Sequence, residues 1–348
     1  MRRLSLKLFV IIVPVGAIIA AANYFIDPAN LFYPREYVAG IAAILLKGHN
    51  VDNISNYNER LLQEQMITGL KQTPDIVVLG SSRIMEIGND FFPGKRVLNV
   101  GVSHANIHDI IAITGLLDSM GRLPAEAYIN VDAGLVSERH TDEWQSIAPY
   151  YTYFIKKYAA QDLQKEDEEA AKPARLYALF SFEYFKQSLH FVLSNGNKKY
   201  MDAQYAKPVK YGRFSDGTIC YAGEYLRPDT IKIASDAAIT GAKEGLTPPD
   251  PDNIRLLGNL VDFFRERHVK VHFIMLPYHP AFYTAVNSSH GDLFYSYDTI
   301  FHKIAVERQV DLKGSFDSNR YSLRENEFYD MHHCSKEAIK KIFNTYHL

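Results

Sequence analysis

Short runs of consecutive apolar residues alternate along the chain with segments of helical periodicity. Short apolar runs bounded by glycine or polar residues are typical of strands that are buried on both faces, whereas apolar residues at intervals of three and four indicate helices. The pattern predicts strands at residues 76–79, 97–100, 125–135, 269–277 and 310–316. It predicts helices at residues 56–72, 105–121, 252–268, 293–309 and 335–348, with Ser335 as the N-cap of the last.

This alternation indicates an α/β fold in which a parallel sheet is covered by helices on both faces. The alternation of strands and helices is interrupted at about residues 138–249, which we interpret as an insertion. The insertion contains a charged stretch at residues 164–175, aromatic helical segments at residues 148–158 and 177–193, and an irregular or hairpin-like stretch at residues 207–225. We assign residues 74–348 to one domain and residues 28–73 to a helical segment that precedes it.

The N-terminal segment places cations before a long apolar stretch. Arg2, Arg3 and Lys7 precede residues 8–26, which are almost free of charge. At a rise of about 1.5 Å per residue, about 19 helical residues just span a hydrocarbon core of about 30 Å. The cations indicate that residues 1–27 form a cytoplasmic tip and single-pass membrane anchor, with the rest of the chain outside the cytoplasm.

Two other interpretations of this segment stay open. Residues Ala20, Ala21 and Ala22 resemble the small-residue cleavage site of a signal peptide. A stretch of this length also fits a helix that is buried in a globular domain. Because the anchor and the signal peptide both export the domain, we expect an extracytoplasmic protein at the cytoplasmic membrane.

The composition is that of a globular protein, and it excludes several functional classes. The 348 residues include 38 Lys and Arg against 40 Asp and Glu, which gives a net charge of -2. A nucleic-acid binder usually has a basic surplus, so we expect no nucleic-acid partner. Cys220 and Cys334 are the only cysteines. They form neither a disulfide framework nor a zinc ribbon, and their spacing does not decide whether they pair.

A polar motif follows the first predicted strand. The apolar run at residues 76–79 ends in Gly80, Ser81, Ser82 and Arg83. A strand that breaks at a glycine into small polar residues can present a nucleophile, bind an anion, or simply turn a corner. Serine at such a position also caps helices. Arg83 suits either a substrate carboxylate or phosphate, or a structural ion pair.

A second motif precedes the last predicted helix. Asp330 lies three positions before His333, so its carboxylate can bind the imidazole within one turn. Acyl transfer needs a hydroxyl, an imidazole that takes its proton, and a carboxylate that orients the imidazole. Because the carboxyl ends of parallel strands share one edge of the sheet, we expect the fold to bring Ser82 to this pair.

These two motifs resemble the first and last blocks of the SGNH/GDSL hydrolase superfamily, as "VVLGSSR" after a strand and "D-x-x-H" before the final helix. The N-terminal segment is similar to that of the branch that includes the D-alanyl-lipoteichoic acid biosynthesis protein and bacterial polysaccharide O-acetylation proteins. The resemblance implies a three-layer, flavodoxin-like fold with Ser82 as nucleophile, His333 as base and Asp330 as acid. It also implies no cofactor, and a membrane-bound O-acyltransferase as partner.

The middle blocks of the family match less closely. In "LNVGVSHAN", which is similar to the second block, Gly101 and His104 bound the loop whose backbone N–H groups would bind the oxyanion, and His104 stands where glycine is usual. The third block normally supplies an asparagine after a strand. Asn130 and Asp132 fall there, and an aspartate does not stabilise an oxyanion. These departures favour a specialised transferase, or an enzyme that a partner completes, over an efficient hydrolase of small esters.

Several site residues have alternatives. Ser81 is the alternative nucleophile, and His332 is the alternative base. Asp330, His332, His333 and Cys334 are also residue types that bind metals. Adjacent residues on one turn rarely converge on a single ion, so we predict no metal site.

The sequence therefore predicts a membrane-anchored, extracytoplasmic serine esterase or O-acyltransferase that acts on a cell-envelope glycopolymer. The main alternative is a non-catalytic envelope assembly protein that keeps the fold and binds glycan or a membrane partner. Phosphate transfer through Arg83 is less favoured, since no clustered carboxylates are present to hold metal ions. Catalysis requires the Ser82 hydroxyl within hydrogen-bond reach of a His333 nitrogen.

Overall fold

The computed structural model describes residues 2–138, 142–158, 178–193, 200–227, 229–243, 247–291 and 293–345, with side chains from residue 13 onward. Within these residues the chain has an α/β fold with a parallel sheet and a smaller antiparallel sheet. The strands are β1 (Asn50–Asp52), β2 (Ile76–Leu79), β3 (Val97–Asn99), β4 (Glu126–Asn130), β5 (Met201–Gln204), β6 (Gly212–Arg213), β7 (Ile219–Cys220), β8 (Lys270–Met275) and β9 (Asp311–Gly314).

The parallel sheet is built from the strands that the apolar runs predicted. In the described part of the chain it has five strands in the order β3-β2-β4-β8-β9. Every neighbouring pair is parallel; Val77 of β2, for example, pairs with Leu98 of β3 and with Ala127 of β4. The carboxyl ends of the strands therefore meet at one edge. The prediction of an α/β fold with a parallel sheet is confirmed.

The predicted helices are also present. The helices predicted at residues 56–72, 105–121, 252–268, 293–309 and 335–348 are found at Glu59–Gly69, Ile107–Ser119, Pro251–Glu266, Leu293–Arg308 and Lys336–Thr345. Ser335 accepts a hydrogen bond from the Ala338 N–H at 3.3 Å, as an N-cap does. The charged stretch at residues 164–175 and the last three residues lie outside the described residues. The helices are α1 (Arg2–Ile26), α2 (Pro34–Leu45), α3 (Glu59–Gly69), α4 (Ile107–Ser119), α5 (Ala133–Val136), α6 (Ala148–Tyr158), α7 (Phe182–Leu193), α8 (Thr230–Lys243), α9 (Pro251–Glu266), α10 (Pro280–His290), α11 (Leu293–Arg308) and α12 (Lys336–Thr345).

Side chains from the two faces of the sheet enter two hydrophobic clusters. In β2, Val77 and Leu79 belong to the larger cluster with α4 and α9, whereas Ile76 and Val78 belong to the cluster that α12 covers. Successive strand residues point to opposite faces, so this division follows from the strand geometry. Helices cover both faces, which explains why β2 is buried at every position.

The smaller sheet ties the insertion to the segment that precedes residue 74. Its strands pair antiparallel in the order β5-β1-β6-β7. The Ile219 N–H of β7 also donates to the Met85 carbonyl at 2.9 Å, just after the "LGSSR" motif. The insertion therefore contacts both the N-terminal segment and the loop that follows β2.

Cys220 and Cys334 are free, buried thiols. Burial raises the pKa of Cys334 to about 12, so this thiol is neutral near neutral pH. The two cysteines are therefore not joined by a disulfide, a question that their spacing in the sequence did not decide.

The N-terminal helix α1 contains residues 8–26, where the sequence predicted a membrane anchor. Among the described residues, no helix combines the length and the apolar character that a bilayer crossing requires. The last turns of α1 carry polar groups that bind the insertion. The Asn23 side-chain amide donates to the carbonyl oxygens of Ala178, Leu179 and Ser181 at 2.9–3.0 Å, immediately before α7.

Candidate active site

The backbone that follows β2 presents Ser82 at the carboxyl edge of the parallel sheet. Gly80 has a φ of +151°, and a Cβ there would lie 2.5 Å from the Asn130 Cβ. Only glycine fits that conformation and that approach. A 3₁₀ turn then begins at Ser82 and ends at Ile84. Its carbonyl at Ile84 accepts a hydrogen bond from the buried Asn99 amide at 2.7 Å, so the end of β3 supports the turn.

The second half of the site is a tight turn before α12. The Oδ1 atom of Asp330 accepts hydrogen bonds from the backbone N–H groups of His332 and His333, at 2.7 and 2.8 Å. A carboxylate that receives two backbone donors has a fixed orientation, because rotation would break both bonds. The short spacing in the sequence therefore preorganises the acid and the base before the serine is involved.

The fold brings these two halves together. The Ser82 Oγ lies 2.7 Å from the His333 Nε2, and the His333 Nδ1 lies 2.8 Å from the Asp330 Oδ2. Both distances fall in the range of about 2.6–3.2 Å that proton transfer requires. The His333 side chain is 20% exposed and that of Asp330 is 33% exposed, so a substrate can reach the pair. The predicted serine, base and acid thus form one hydrogen-bonded chain.

The environment keeps Asp330 ionised. Burial alone would raise the pKa of this carboxyl, but hydrogen bonds from His333, Tyr225 and the His332 backbone hold the pKa well below its ordinary value. A permanently charged carboxylate orients the imidazole with Nδ1 protonated and leaves Nε2 free to take the serine proton.

Tyr225 is a site residue that the sequence did not indicate. Its hydroxyl donates to the Asp330 Oδ2 at 2.5 Å and lies 3.4 Å from the His333 Nδ1. It comes from the insertion, 105 positions before Asp330. No spacing or motif connects the two, so only the folded structure reveals the contact.

Arg83 has neither of the two roles predicted from its charge, which were binding of a substrate anion and a structural ion pair. It is buried, with 7% of its surface exposed, and the described part of the chain offers it no carboxylate partner. Instead, its guanidinium donates to the carbonyl oxygens of Leu276, Pro277 and His332 at 2.6–3.0 Å and lies 3.9 Å from the Tyr278 ring centroid. Arg83 therefore joins the serine turn to the end of β8 and to the turn that carries His333.

The alternative nucleophile Ser81 and the alternative base His332 do not take part in a serine–histidine hydrogen bond. The Ser81 hydroxyl lies 2.8 Å from the Asp132 Oδ2 and 3.1 Å from the Asn130 Oδ1, both of which are acceptors. The His332 ring packs against Phe282 at 4.8 Å, and no described residue forms a hydrogen bond with it. Burial, followed by the charge of Arg83, lowers the pKa of His332 to about 4. The geometry thus favours Ser82 and His333.

Asp132 and Asn130 serve the backbone beside the site. Asp132 is buried and caps α5 by accepting a hydrogen bond from the Leu135 N–H at 3.1 Å. The Asn130 amide donates to the Ile274 carbonyl of the neighbouring strand at 3.1 Å. Neither side chain therefore points a donor at the Ser82 hydroxyl.

The loop at residues 101–104 offers few free donors for an oxyanion. The Gly101 N–H donates to the Asn99 side chain at 2.9 Å, and the Val102 N–H donates to the Gly80 carbonyl at 3.0 Å. The Ser103 N–H donates to a Glu59 carboxylate oxygen at 2.5 Å. His104 is exposed and has a φ of +53°. The Gly101 amide, predicted as an oxyanion donor, therefore already has an acceptor within the protein.

The backbone N–H of Ser82 is the better placed donor. The residues that the structure describes contain no acceptor for it, and it belongs to the nucleophile itself. An amide at this position can bind the oxygen of an acyl group that is attached to its own side chain.

Comparison of the chain with known proteins adds no family assignment to this geometry. No family model matches the chain, and no curated protein matches it.

Proposed function

We propose that this chain is a serine esterase or O-acyltransferase that works through Ser82, His333 and Asp330. The observation that carries the proposal is the 2.7 Å contact between the Ser82 Oγ and the His333 Nε2, in line with the 2.8 Å contact from the His333 Nδ1 to Asp330. A serine that only caps a turn does not require an oriented imidazole within hydrogen-bond distance of its hydroxyl.

The proposed reaction has two halves. The Ser82 Oγ attacks an acyl carbonyl while the His333 Nε2 takes the hydroxyl proton, and His333 then gives that proton to the departing alcohol. The acyl group is now an ester on Ser82. A water molecule or an acceptor hydroxyl then attacks this ester, loses its proton to His333, and releases the Ser82 hydroxyl. Asp330 stabilises the charge on His333 in both halves, and the Ser82 N–H binds the oxyanion.

The topology supports the finer fold assignment that goes with this proposal. Numbered from β2, the strand order of the parallel sheet corresponds to 2-1-3-4-5, which is the order of flavodoxin-like sheets. A three-layer, SGNH-type arrangement is the form of α/β fold that we propose.

A cavity at the loop of residues 101–104 supports a hydroxyl-rich acceptor. It has a volume of about 960 Å³, and its lining includes Tyr57, Ser103 and Tyr211. The Val102 N–H of the same loop donates to the Gly80 carbonyl, so this loop contacts both the cavity and the backbone that presents the nucleophile.

The charges of this cavity compensate one another. Arg60 donates to Asp109 at 2.9 Å and also pairs with Glu143, whereas Glu59 pairs with Arg213 at 2.7 Å. The rest of the lining consists of hydroxyl, amide, aromatic and apolar side chains, and together with the neutralised charges it suits a sugar or polyol better than an ionic ligand. We therefore propose a glycopolymer as acceptor. The envelope location and a membrane-bound acyltransferase partner stay predictions of the sequence.

The experiment that tests the proposal is covalent labelling of the purified full-length chain with a fluorophosphonate probe, with the adduct located by mass spectrometry. We expect one adduct, on Ser82, that is lost in Ser82→Ala and in His333→Ala. Ser81→Ala is the matched control, and it should still be labelled. The absence of labelling in chain shown to be folded by circular dichroism would count against the proposal.

One observation favours the second candidate, a non-catalytic binding protein. The Gly101 amide and the Asn130 side chain, which would complete an oxyanion site, both bind other groups. A folded chain that resists the probe but binds glycan fragments would support this candidate instead.

A further inference from the structure

The Asp330 carboxylate receives more hydrogen bonds than a base-orienting residue requires. Its Oδ1 accepts from two backbone N–H groups, and its Oδ2 lies 2.8 Å from the His333 Nδ1. The same Oδ2 also accepts from the Tyr225 hydroxyl at 2.5 Å. Tyr225 and His333 therefore share one oxygen of Asp330.

The position of Tyr225 is fixed by its own surroundings. Its N–H donates to the Ala222 carbonyl at 3.0 Å, and its ring packs against Tyr221 at 4.6 Å and Tyr329 at 5.4 Å. Burial raises the pKa of Tyr225 far above its ordinary value, so the hydroxyl stays protonated and acts as a donor. The hydroxyl is thus a permanent feature of the site.

The strand that leads to Tyr225 also contacts the serine turn. β7 lies a few residues upstream, and its Ile219 N–H donates to the Met85 carbonyl at 2.9 Å. The insertion is therefore bound to the nucleophile loop through Met85 and to the acid through Tyr225. It holds both halves of the site at once.

A hydrogen bond to a carboxylate withdraws part of its negative charge. Asp330 bound by Tyr225 consequently stabilises an imidazolium less than Asp330 alone would. In return the carboxylate is better oriented, because Oδ2 has two fixed partners.

We propose that Tyr225 is a positioning residue that holds Asp330 and limits how strongly this carboxylate stabilises the protonated ring of His333. This inference rests on the proposed function only for its effect on the rate; the effect on His333 protonation is independent of catalysis. The insertion thus supplies a side chain that orients the site, in addition to its own fold.

Other polar groups surround the pair, and a test has to leave them unchanged. Arg83 binds the His332 carbonyl, His104 acts electrostatically on His332, and Tyr221 interacts with Asp330. Replacement of Tyr225 by phenylalanine removes one oxygen and preserves all of these neighbours. Further groups near the turn are Glu86, Glu325 and Tyr329.

The first test is the pH dependence of fluorophosphonate labelling in Tyr225→Phe. We expect the acid limb of the rate profile to move to higher pH by about 0.5–1 unit, and the plateau rate to fall about tenfold. Tyr221→Phe is the matched control, since its ring contacts Tyr225 while its hydroxyl forms no hydrogen bond with Asp330. An acid limb in Tyr225→Phe that coincides with that of the control would overturn the proposal.

The second test needs no catalysis. Histidine NMR titration should show a higher His333 pKa in the double variant Ser82→Ala with Tyr225→Phe than in Ser82→Ala alone. If the chain is never labelled but this shift appears, the proposed function fails and the role of Tyr225 stands. If labelling succeeds but both variants titrate alike, the role of Tyr225 is refuted.

A third measurement covers the case in which Tyr225→Phe does not fold. The short bond to Asp330 should give a slowly exchanging, downfield hydroxyl proton in the unmodified protein, and Asp330→Asn should abolish it. Its absence from the unmodified protein would count against the proposal.

Discussion

Replacement of Arg83 by methionine removes the side chain that joins the serine turn to the His333 turn. Methionine keeps most of the aliphatic length but has no hydrogen-bond donors, so the carbonyl oxygens of Leu276, Pro277 and His332 lose their partner. The Tyr278 ring loses the cation at 3.9 Å. The change therefore tests whether a buried charge organises the site.

The magnitude follows from these contacts. Three hydrogen bonds from a charged donor contribute about 4–5 kcal/mol together, and a cation–π contact contributes about 1 kcal/mol. The buried Nη1 atom of Arg83 has no hydrogen-bond partner among the described residues. Removal of this unpaired group stabilises the folded state by about 2 kcal/mol, which offsets part of the loss. We therefore expect Arg83→Met to lower the free energy of unfolding by about 3–4 kcal/mol.

Equilibrium unfolding in urea measures this loss directly. Arg96→Met is the matched control, because Arg96 is 55% exposed and pairs with Asp75 at 3.1 Å on the surface. An exposed ion pair contributes less than about 1 kcal/mol. The labelling rate of Ser82 should also fall in Arg83→Met and remain normal in Arg96→Met. Equal destabilisation of the two variants, at about 1 kcal/mol or less, would refute the view that Arg83 holds the two turns together.

Two further predictions concern the neighbourhood of the site. Burial raises the pKa of Glu86 to about 7, so the folded state binds this proton more tightly than the unfolded state. The stabilisation is present at acidic pH and is lost as the pH rises towards 7. Glu86→Gln should therefore show a weaker fall of its melting temperature between pH 5 and pH 7 than the unmodified protein, and parallel curves would contradict the prediction. In the cavity, Tyr211→Ala should raise the KM for a glycan acceptor at least several-fold and leave the labelling rate of Ser82 unchanged. A loss of labelling would instead assign Tyr211 to the fold.

The parts of the structure that were predictable from the sequence are those with local causes. The strands of the parallel sheet are buried on both faces, so they appear as continuous apolar runs. Asp330 and His333 share one turn, so their spacing alone indicated their pairing. Ser82 follows directly from the way a buried strand ends at Gly80.

The parts that were not predictable depend on distant contacts or on very short elements. Tyr225 reaches Asp330 only because the insertion folds back over the sheet edge. The small antiparallel sheet uses strands of two to four residues, which are too short for an apolar pattern. The Gly101 amide is taken by Asn99, a bond that depends on how β3 ends.

The order in which the site residues occur along the chain has a consequence during synthesis. Ser82 and His333 are separated by 251 positions. At a ribosomal rate of about 5–20 residues per second, Ser82 is synthesised about 10–50 s before His333. During that interval the Ser82 hydroxyl lacks its hydrogen-bond partner His333. The serine–histidine pair therefore forms only after residue 333 has been made and the two halves of the site have folded together, which makes reactivity towards the probe a reporter of folding.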